Sequence, residues 1–277
     1  MARYKITLAY DGAGFLGFQR QASGRTIQAE VERALRRLNW TGKSVLAAAR
    51  TDAGAHATGQ VIAIDLDWMH AAADLGRALN ACLPHDIAAR EVVAVAGDFH
   101  PRYDARVRSY HYRIYCQPER DPLRERYAWR VWPEVQLERL HAAARLFLGG
   151  HDFAAFGTPP LPGGSTQRLV YSAGWKANSQ GLLFEVSANA FLYHMVRRLV
   201  FLQALVGQSR LTLEALQSAI AGDRSQPPGL APAHGLVLTE VRYTLNEQEN
   251  QVLIDAERQS KTWSASGEDD SGKDLRH

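Results

Sequence analysis

Two segments in the first half of the chain show the clearest periodicity. Residues 3–10 ("RYKITLAY") place a large apolar side chain at every second position, which predicts a strand with one buried face. Residues 31–38 place apolar side chains at i, i+3, i+4 and i+7, which predicts a helix that Thr26 can cap. Shorter runs complete the order β-α-β-β-α-β. They predict strands near 44–48, 59–66 and 89–96 and a helix near 71–82.

The second half of the chain repeats this order. Its pattern predicts strands at residues 106–115, 127–132, 169–177, 182–188 and 235–243, and helices at 134–148, 191–206 and 213–221. Each half therefore has the βαββαβ order of a ferredoxin-like or RRM-like sandwich. We predict an α+β fold in which the two halves join edge to edge into one mostly antiparallel sheet with a central cleft. The predicted boundaries are 1–104 for the N-terminal half and 105–245 for the C-terminal half.

Residues 246–277 differ in composition from the rest of the chain. They hold eight acidic and four basic residues, many Ser residues and little periodicity, which predicts an acidic, disordered tail. Because the whole chain has a net charge of +3, residues 1–245 carry +7. Of the 32 basic residues 27 are Arg, the side chain best suited to phosphate and to stacking on bases, although a GC-rich genome would also favour Arg.

Arginine and aromatic residues are interleaved between residues 100 and 130. This window contains eight Arg and four acidic residues, together with five Tyr and one Trp. Positive charge mixed with aromatic rings suits RNA with unstacked bases, although aromatic residues in strands usually face a core. The window therefore favours RNA as a partner.

Cysteine usage and hydropathy restrict the compartment. Cys82 and Cys116 have no Cys or His at ligand spacing, which argues against a zinc site and a disulfide framework. Residues 1–12 contain no apolar signal sequence, and the strongly apolar run 199–206 is too short to cross a bilayer. We therefore expect a cytoplasmic protein with no metal and no membrane contact.

Residues 49–61 ("ARTDAGAHATGQV") contain the clearest candidate for chemistry. Asp52 stands between two predicted strands in a run of small residues, where the chain turns and another molecule can approach closely. Nearby Arg charge favours the ionised carboxylate, which can act as a nucleophile or a base. The alternative is structural, with Asp52 bonded to its own turn and Arg50 as a surface charge.

A longer pattern favours the chemical interpretation. The stretch "RTDAGAHATGQV" and the upstream "YDGAGFLGFQRQ" resemble two motifs of the tRNA pseudouridine synthase A family. The resemblance continues in order, within residues 3–245, through "FHPRYDARVRSYHYRI", "STQRLV", "SANAFLYHMVRRLV" and "APAHGLVLTEVRY". It implies the pseudouridine synthase fold and an isomerase that detaches uracil from ribose at N1 and reattaches it through C5. It also implies that no cofactor is needed, and the chain carries no phosphate-binding loop or dinucleotide motif.

The resemblance assigns roles to four residues. Asp52 matches the catalytic Asp, which can add to the base, attack C1′ or remove a ribose proton. Tyr110 matches the active-site Tyr, whose ring can stack on the flipped uracil and whose hydroxyl can help remove the C5 proton. Arg197 matches the basic partner of the Asp, for which we expect a bidentate contact. Arg50 either pairs with Asp52 as well or contacts the substrate, which is the role we favour.

Six further residues are candidate RNA contacts. Four lie in loops that can flank the cleft, and two are His residues that lack a third ligand for a metal site. They are Arg20, Gln21, Arg25, Arg168, His56 and His194.

The leading hypothesis is a tRNA pseudouridine synthase. By resemblance, its targets are uridines at positions 38, 39 and 40 of the anticodon arm, and it acts as a homodimer with one tRNA across both subunits. A non-catalytic RNA-binding protein of two RRM-like halves is the first alternative, but no strand carries the aromatic RNP1 pattern. A carboxylate-dependent glycosidase would require a second carboxylate beside Asp52, and the motif supplies none.

Overall fold

The computed structural model describes the backbone of residues 1–265 and the side chains of residues 1–257. The first half has the predicted order of strands and helices. They are β1 (Ala2–Tyr10), α1 (Ile27–Arg36), β2 (Leu46–Ala47), β3 (His56–Leu66), α2 (Ala72–Cys82) and β4 (Ile87–Val95). Thr26 caps α1, because its side chain accepts a hydrogen bond from the N–H of Ala29.

The second half repeats the order with short additions. Its elements are β5 (Val107–Tyr115), β6 (Trp129–Arg130), α3 (Leu137–Arg145), β7 (Gly149–Asp152), β8 (Gln167–Asn178), β9 (Gly181–Ala188), α4 (Met195–Gly207), α5 (Leu213–Ile220) and β10 (Leu236–Arg242). A further helix, α6 (Glu247–Ala265), follows. β7 is absent from the sequence prediction, because residues 149–152 ("GGHD") contain no apolar side chain that could alternate.

The two halves form one sheet of ten strands. The main order is β4-β1-β3-β10-β5-β9-β8-β7, with β2 beside β3 and β6 beside β5. Apart from the short β5–β6 pair, neighbours within each half are antiparallel. The halves join where residues 56–57 of β3 pair in parallel with residues 237–238 of β10. The predicted α+β fold with a mostly antiparallel sheet is confirmed, while the domain boundary between residues 104 and 105 stays a prediction.

Helix α4 is the most deeply buried helix of the second half. Ten of its 13 residues are buried, among them Met195, Val196, Leu199 and Val200. A helix that is apolar on nearly all sides belongs in a core. Arg197 lies in the first turn of this helix, where its guanidinium loses solvation free energy. We therefore expect Arg197 to have a specific partner.

The start of α4 differs from the prediction. The apolar pattern predicts a helix from residue 191, but α4 begins at Met195. Residues 189–194 form a connection in which Tyr193 makes an antiparallel bridge with Thr158. His194 then adopts a left-handed conformation with φ 65°. Hydrophobic periodicity does not report such a turn, because Phe191, Leu192 and Tyr193 continue the apolar pattern of the helix that follows.

The prediction of a disordered tail over residues 246–277 is wrong for residues 247–265, which form α6. Val252, Leu253 and Ala256 pack against a small buried cluster that includes Leu169 and Tyr171 of β8. Glu249 is 5% exposed and accepts a hydrogen bond of 2.9 Å from Arg242. The acidic composition of this segment did not indicate a helix that packs through one apolar stripe. Residues 266–277 lie outside the described part of the chain.

Three features of the described residues concern metal ligands, helix hydropathy and cysteine. Within residues 1–265, no cluster of three or more His, Cys, Asp or Glu side chains could hold a metal ion. None of the helices in that range combines the length and the apolar character needed to cross a bilayer. Cys82 and Cys116 are both free thiols.

Candidate active site

Asp52 lies in the loop between β2 and β3, which packs closely on the loop that follows β1. The N–H of Phe18 donates to the carbonyl of Thr51 at 3.0 Å. The Thr51 hydroxyl also shares a hydrogen bond of 2.8 Å with the hydroxyl of Tyr10. A Cβ atom at Gly17, whose φ is +92°, would lie 3.0 Å from the Thr51 carbonyl oxygen. The small residues of both loops therefore allow the close approach that fixes the position of Asp52.

Arg197, in the first turn of α4, holds the Asp52 carboxylate. Its Nη1 donates to Oδ2 of Asp52 at 2.6 Å, and its Nε donates to the carbonyl of Ala231 at 2.7 Å. The two side chains are only 14% and 11% exposed, so water screens their attraction less than it screens a surface pair. The contact is not the expected bidentate one, because Nη1 alone donates to the carboxylate while Nε donates to Ala231. No donor among the described residues reaches Oδ1 of Asp52. Within the same part of the chain, Arg50 makes no hydrogen bond or ion pair with Asp52.

His194 lies beside the same carboxylate. Its Nε2 is 3.7 Å from Oδ2 of Asp52, which is too far for a hydrogen bond. Burial lowers the pKa of His194, against the raising effect of Asp52, and the charge of Arg197 lowers it further. The ring is therefore mostly neutral at pH 7, and Arg197 supplies the positive charge that faces Asp52.

Tyr110 approaches Asp52 from β5. The residue pairs with Leu238 of β10, next to the junction of the two halves, and it is 8% exposed. Its ring meets the ring of Phe191 edge to face, with centroids 5.0 Å apart. Burial raises the pKa of Tyr110 to about 12, with Arg108 opposing this rise and Asp52 adding to it. The phenol is therefore neutral near pH 7, and its hydroxyl makes no hydrogen bond to the part of the chain described.

The geometry thus brings one carboxylate, one guanidinium, one imidazole and one phenol together at the junction of the two halves. A sequence model of the tRNA pseudouridine synthase family matches residues 6–104 and 143–244, which contain Asp52 and Arg197. The chain belongs to this family. The resemblance carried by the motifs is therefore confirmed.

Individual relatives support the same assignment along most of the chain. A protein of Moorella thermoacetica named tRNA pseudouridine synthase A is 41% identical over 242 residues, which cover 86% of this chain and 98% of that protein. A protein of the same name from Solidesulfovibrio magneticus is 39% identical over 251 residues, covering 88% and 92%. Another from Shouchella clausii is 36% identical over 260 residues, covering 92% and 100%. The family relationship therefore extends over both halves of the fold.

Arg108, two residues before Tyr110, is a buried cation that was not among the predicted site residues. It donates to the carbonyls of Asn189 at 2.8 Å, Arg102 at 2.7 Å and Ala48 at 3.3 Å. It thereby ties the segment before the Asp52 loop to the connection that leads into α4. Burial lowers the pKa of Arg108. The two-residue alternation that buries Tyr110 also places Arg108 inside, so the signal was present in the sequence.

Three of the candidate RNA contacts near α1 already have partners within the chain. Arg20 pairs with buried Glu32 at 2.6 Å. Arg25 makes two hydrogen bonds to Asp86, at 2.6 and 2.9 Å. Gln21 donates to a carbonyl of its own loop at 2.7 Å. These contacts fix the loop after β1, and the RNA-binding roles of the three residues stay predictions.

The remaining candidates differ in accessibility. Arg50 is exposed and makes no hydrogen bond to the described residues, so its guanidinium is available to a substrate. Arg168 donates to the carbonyl of Gln167 at 2.6 Å, and burial lowers its pKa. His56 is only 4% exposed and accepts a hydrogen bond of 3.0 Å from the N–H of Gly12, so it offers little surface to RNA.

Proposed function

We propose that this chain is a tRNA pseudouridine synthase, an isomerase that converts uridine in tRNA to pseudouridine. The N1–C1′ bond of the nucleotide breaks and a C5–C1′ bond forms. The C5 proton passes to water and N1 gains a proton, so the reaction needs no oxidant or reductant. The observation that carries the proposal is the 2.6 Å pair of Asp52 and Arg197 in a member of this family.

Asp52 is the residue we assign to the chemistry. Arg197 occupies Oδ2 and orients the carboxylate, while Oδ1 has no donor among the described residues and is free to act on the substrate. The hydrogen bond of 2.6 Å from the guanidinium fixes the orientation of the carboxylate. The Ala231 carbonyl fixes the other edge of the guanidinium, so that the carboxylate is preorganised before substrate binds.

Tyr110 is the residue we assign to proton transfer and stacking. A uracil that enters the site has to leave its stack in the RNA, and an aromatic ring replaces part of the lost stacking. Because the phenol has a pKa of about 12, it is neutral at the working pH. Its oxygen would therefore accept the C5 proton while its own hydroxyl proton passes to water, and no phenolate would be needed beforehand.

The substrate segment is proposed to be the anticodon arm, with target uridines at positions 38, 39 and 40. The net charge of +7 on residues 1–245 and the exposed Arg50 support binding of a phosphate backbone. We propose a homodimer in which a second copy supplies further basic surface for the anticodon arm. A tRNA substrate and free thiols support a cytoplasmic location.

Position mapping tests this function. Unmodified tRNA transcripts with uridine at 38, 39 or 40 are incubated with the protein, and pseudouridine is mapped by carbodiimide adducts that stop reverse transcription. The proposal predicts stops that mark these positions with the wild-type protein, and no such stops with the Asp52→Asn variant. Stops only outside the anticodon arm would overturn the substrate assignment, and the absence of stops would overturn the activity. Sedimentation with and without tRNA tests the homodimer, and a monomer in both samples would contradict it.

A further inference from the structure

Tyr193 places an exposed aromatic ring next to the residues around Asp52. Its ring stacks on the ring of His194, with centroids 3.6 Å apart and an interplanar angle of 29°. His194 in turn has Nε2 at 3.7 Å from Oδ2 of Asp52. Tyr193 is 56% exposed, so much of the residue outside its contact with His194 is accessible. The carboxylate, the imidazole and the phenol thus form a series that ends in an exposed aromatic residue.

The backbone that carries this ring is fixed on both sides. The N–H of Tyr193 donates to the carbonyl of Thr158 at 2.9 Å, and the N–H of Thr158 donates back at 3.4 Å. On the other side, His194 holds a left-handed φ of 65°, which costs free energy for a non-glycine residue. A Cβ atom at Gly157 would lie 2.5 Å from the Tyr193 carbonyl oxygen, so this close approach requires glycine. The fold therefore keeps a strained turn that positions a ring outside the core.

We propose that Tyr193 is a stacking site for a nucleobase of the RNA substrate, next to the uridine that enters the Asp52 site. This proposal rests on the proposed function. A uridine that leaves its stack deprives the neighbouring bases of a partner, and an aromatic ring at a fixed position can replace it. Such a site accepts any base, because every base has a π face.

The contacts of Tyr193 indicate that its ring, and not its hydroxyl, is the group that binds a base. The hydroxyl makes no hydrogen bond within the described part of the chain, whereas the ring has a defined orientation on His194. Tyr110 has the complementary environment, because it is buried against Phe191 and lies near enough to Asp52 for the carboxylate to raise the pKa of the phenol. We therefore assign Tyr110 to the target uracil and Tyr193 to an adjacent base.

Kinetics of two variants separate stacking from support of His194. Tyr193→Phe keeps the ring and serves as the matched control, whereas Tyr193→Leu keeps apolar volume without a π face. We expect Tyr193→Leu to raise KM for tRNA by about 5- to 100-fold with kcat within about twofold, and Tyr193→Phe to match wild type. A fall in kcat with unchanged KM would show that the ring only positions His194 and would overturn the proposal. Wild-type kinetics in Tyr193→Leu would overturn it as well.

A fluorescence measurement reports stacking without turnover. The probe is an RNA stem-loop with 2-aminopurine beside the target uridine, on the 5′ or the 3′ side, bound to protein that carries Asp52→Ala. Stacking on Tyr193 quenches this base, so we expect quenching at one of the two positions that Tyr193→Phe preserves and Tyr193→Leu removes. Equal signals in all three proteins would contradict the stacking site. If wild type forms no pseudouridine, the proposed function fails, while the fluorescence result still decides whether Tyr193 stacks on a base.

Discussion

Nη1 of Arg197 lies 2.6 Å from Oδ2 of Asp52, although the two residues are 145 positions apart in the chain. One comes from a loop of the first half and the other from a core helix of the second half. The two halves join through β3 and β10, so the pair lies across the junction between them. The candidate site is therefore built from residues of both halves.

Removal of the guanidinium should impair turnover more than substrate binding. Arg197→Met leaves Oδ2 of Asp52 without its donor, and we expect kcat to fall by about 100-fold or more. Arg197→Lys keeps a charge but cannot contact Ala231 and Asp52 together, so an intermediate loss of about tenfold is expected. Steady-state kinetics on tRNA measure both values. Wild-type kcat in Arg197→Met would show that the pair has no part in turnover.

The phenol of Tyr110 should matter through its hydroxyl. Tyr110→Phe keeps the ring against Phe191, so we expect KM within about twofold of wild type. Loss of the proton acceptor should lower kcat by about 10²- to 10⁴-fold. Because the pKa of the phenol is about 12, wild-type kcat should not change between pH 7 and about 10 through ionisation of Tyr110. Full turnover in Tyr110→Phe would leave only the ring with a role.

Protonation of His194 should reduce activity in acid. Its pKa lies below the ordinary value of 6.5, mainly because the ring is buried, so the neutral form dominates above that pH. As the pH falls through the lowered pKa, a second cation appears beside Asp52 and competes for its carboxylate. We expect kcat/KM to fall below pH 6.5 in wild type, and we expect this fall to be absent in His194→Gln. The control is His85→Gln, at an exposed histidine, which should show the same fall as wild type. An unchanged fall in His194→Gln would exclude His194 as its source.

Helix α6 should contribute to the stability of the second half through one face. Leu253 packs on the cluster around β8, while its neighbour Ile254 is 42% exposed. Leu253→Ala should lower the free energy of unfolding by about 1–2 kcal/mol, and Ile254→Ala by less than about 0.5 kcal/mol. Urea denaturation of both variants measures the difference. Equal effects would mean that α6 does not pack on β8 in solution.

Periodicity and motifs predicted much of this molecule because they report on local structure. The alternation of residues 3–10 and 106–115 predicted the strands β1 and β5, and the loop motif predicted Asp52 as the candidate for chemistry. The start of α4 at Met195 was missed because it depends on a tertiary bridge between Thr158 and Tyr193. Likewise, the helix after residue 246 is stabilised by contacts with β8 that its acidic sequence does not reveal. Arg197 makes one hydrogen bond to Asp52 instead of two, while its Nε donates to the carbonyl of Ala231. A pattern of side chains cannot predict such a contact with the backbone.

Release of tritium from uracil C5 tests the central claim most directly. The tRNA carries tritium at C5 of its uridines, and the label passes to water only when C5 becomes bonded to ribose. The account predicts release by wild type and none above background by Asp52→Ala or by Asp52→Asn, with both variants still binding tRNA. Equal release by wild type and by the variants, or no release by wild type, would contradict it.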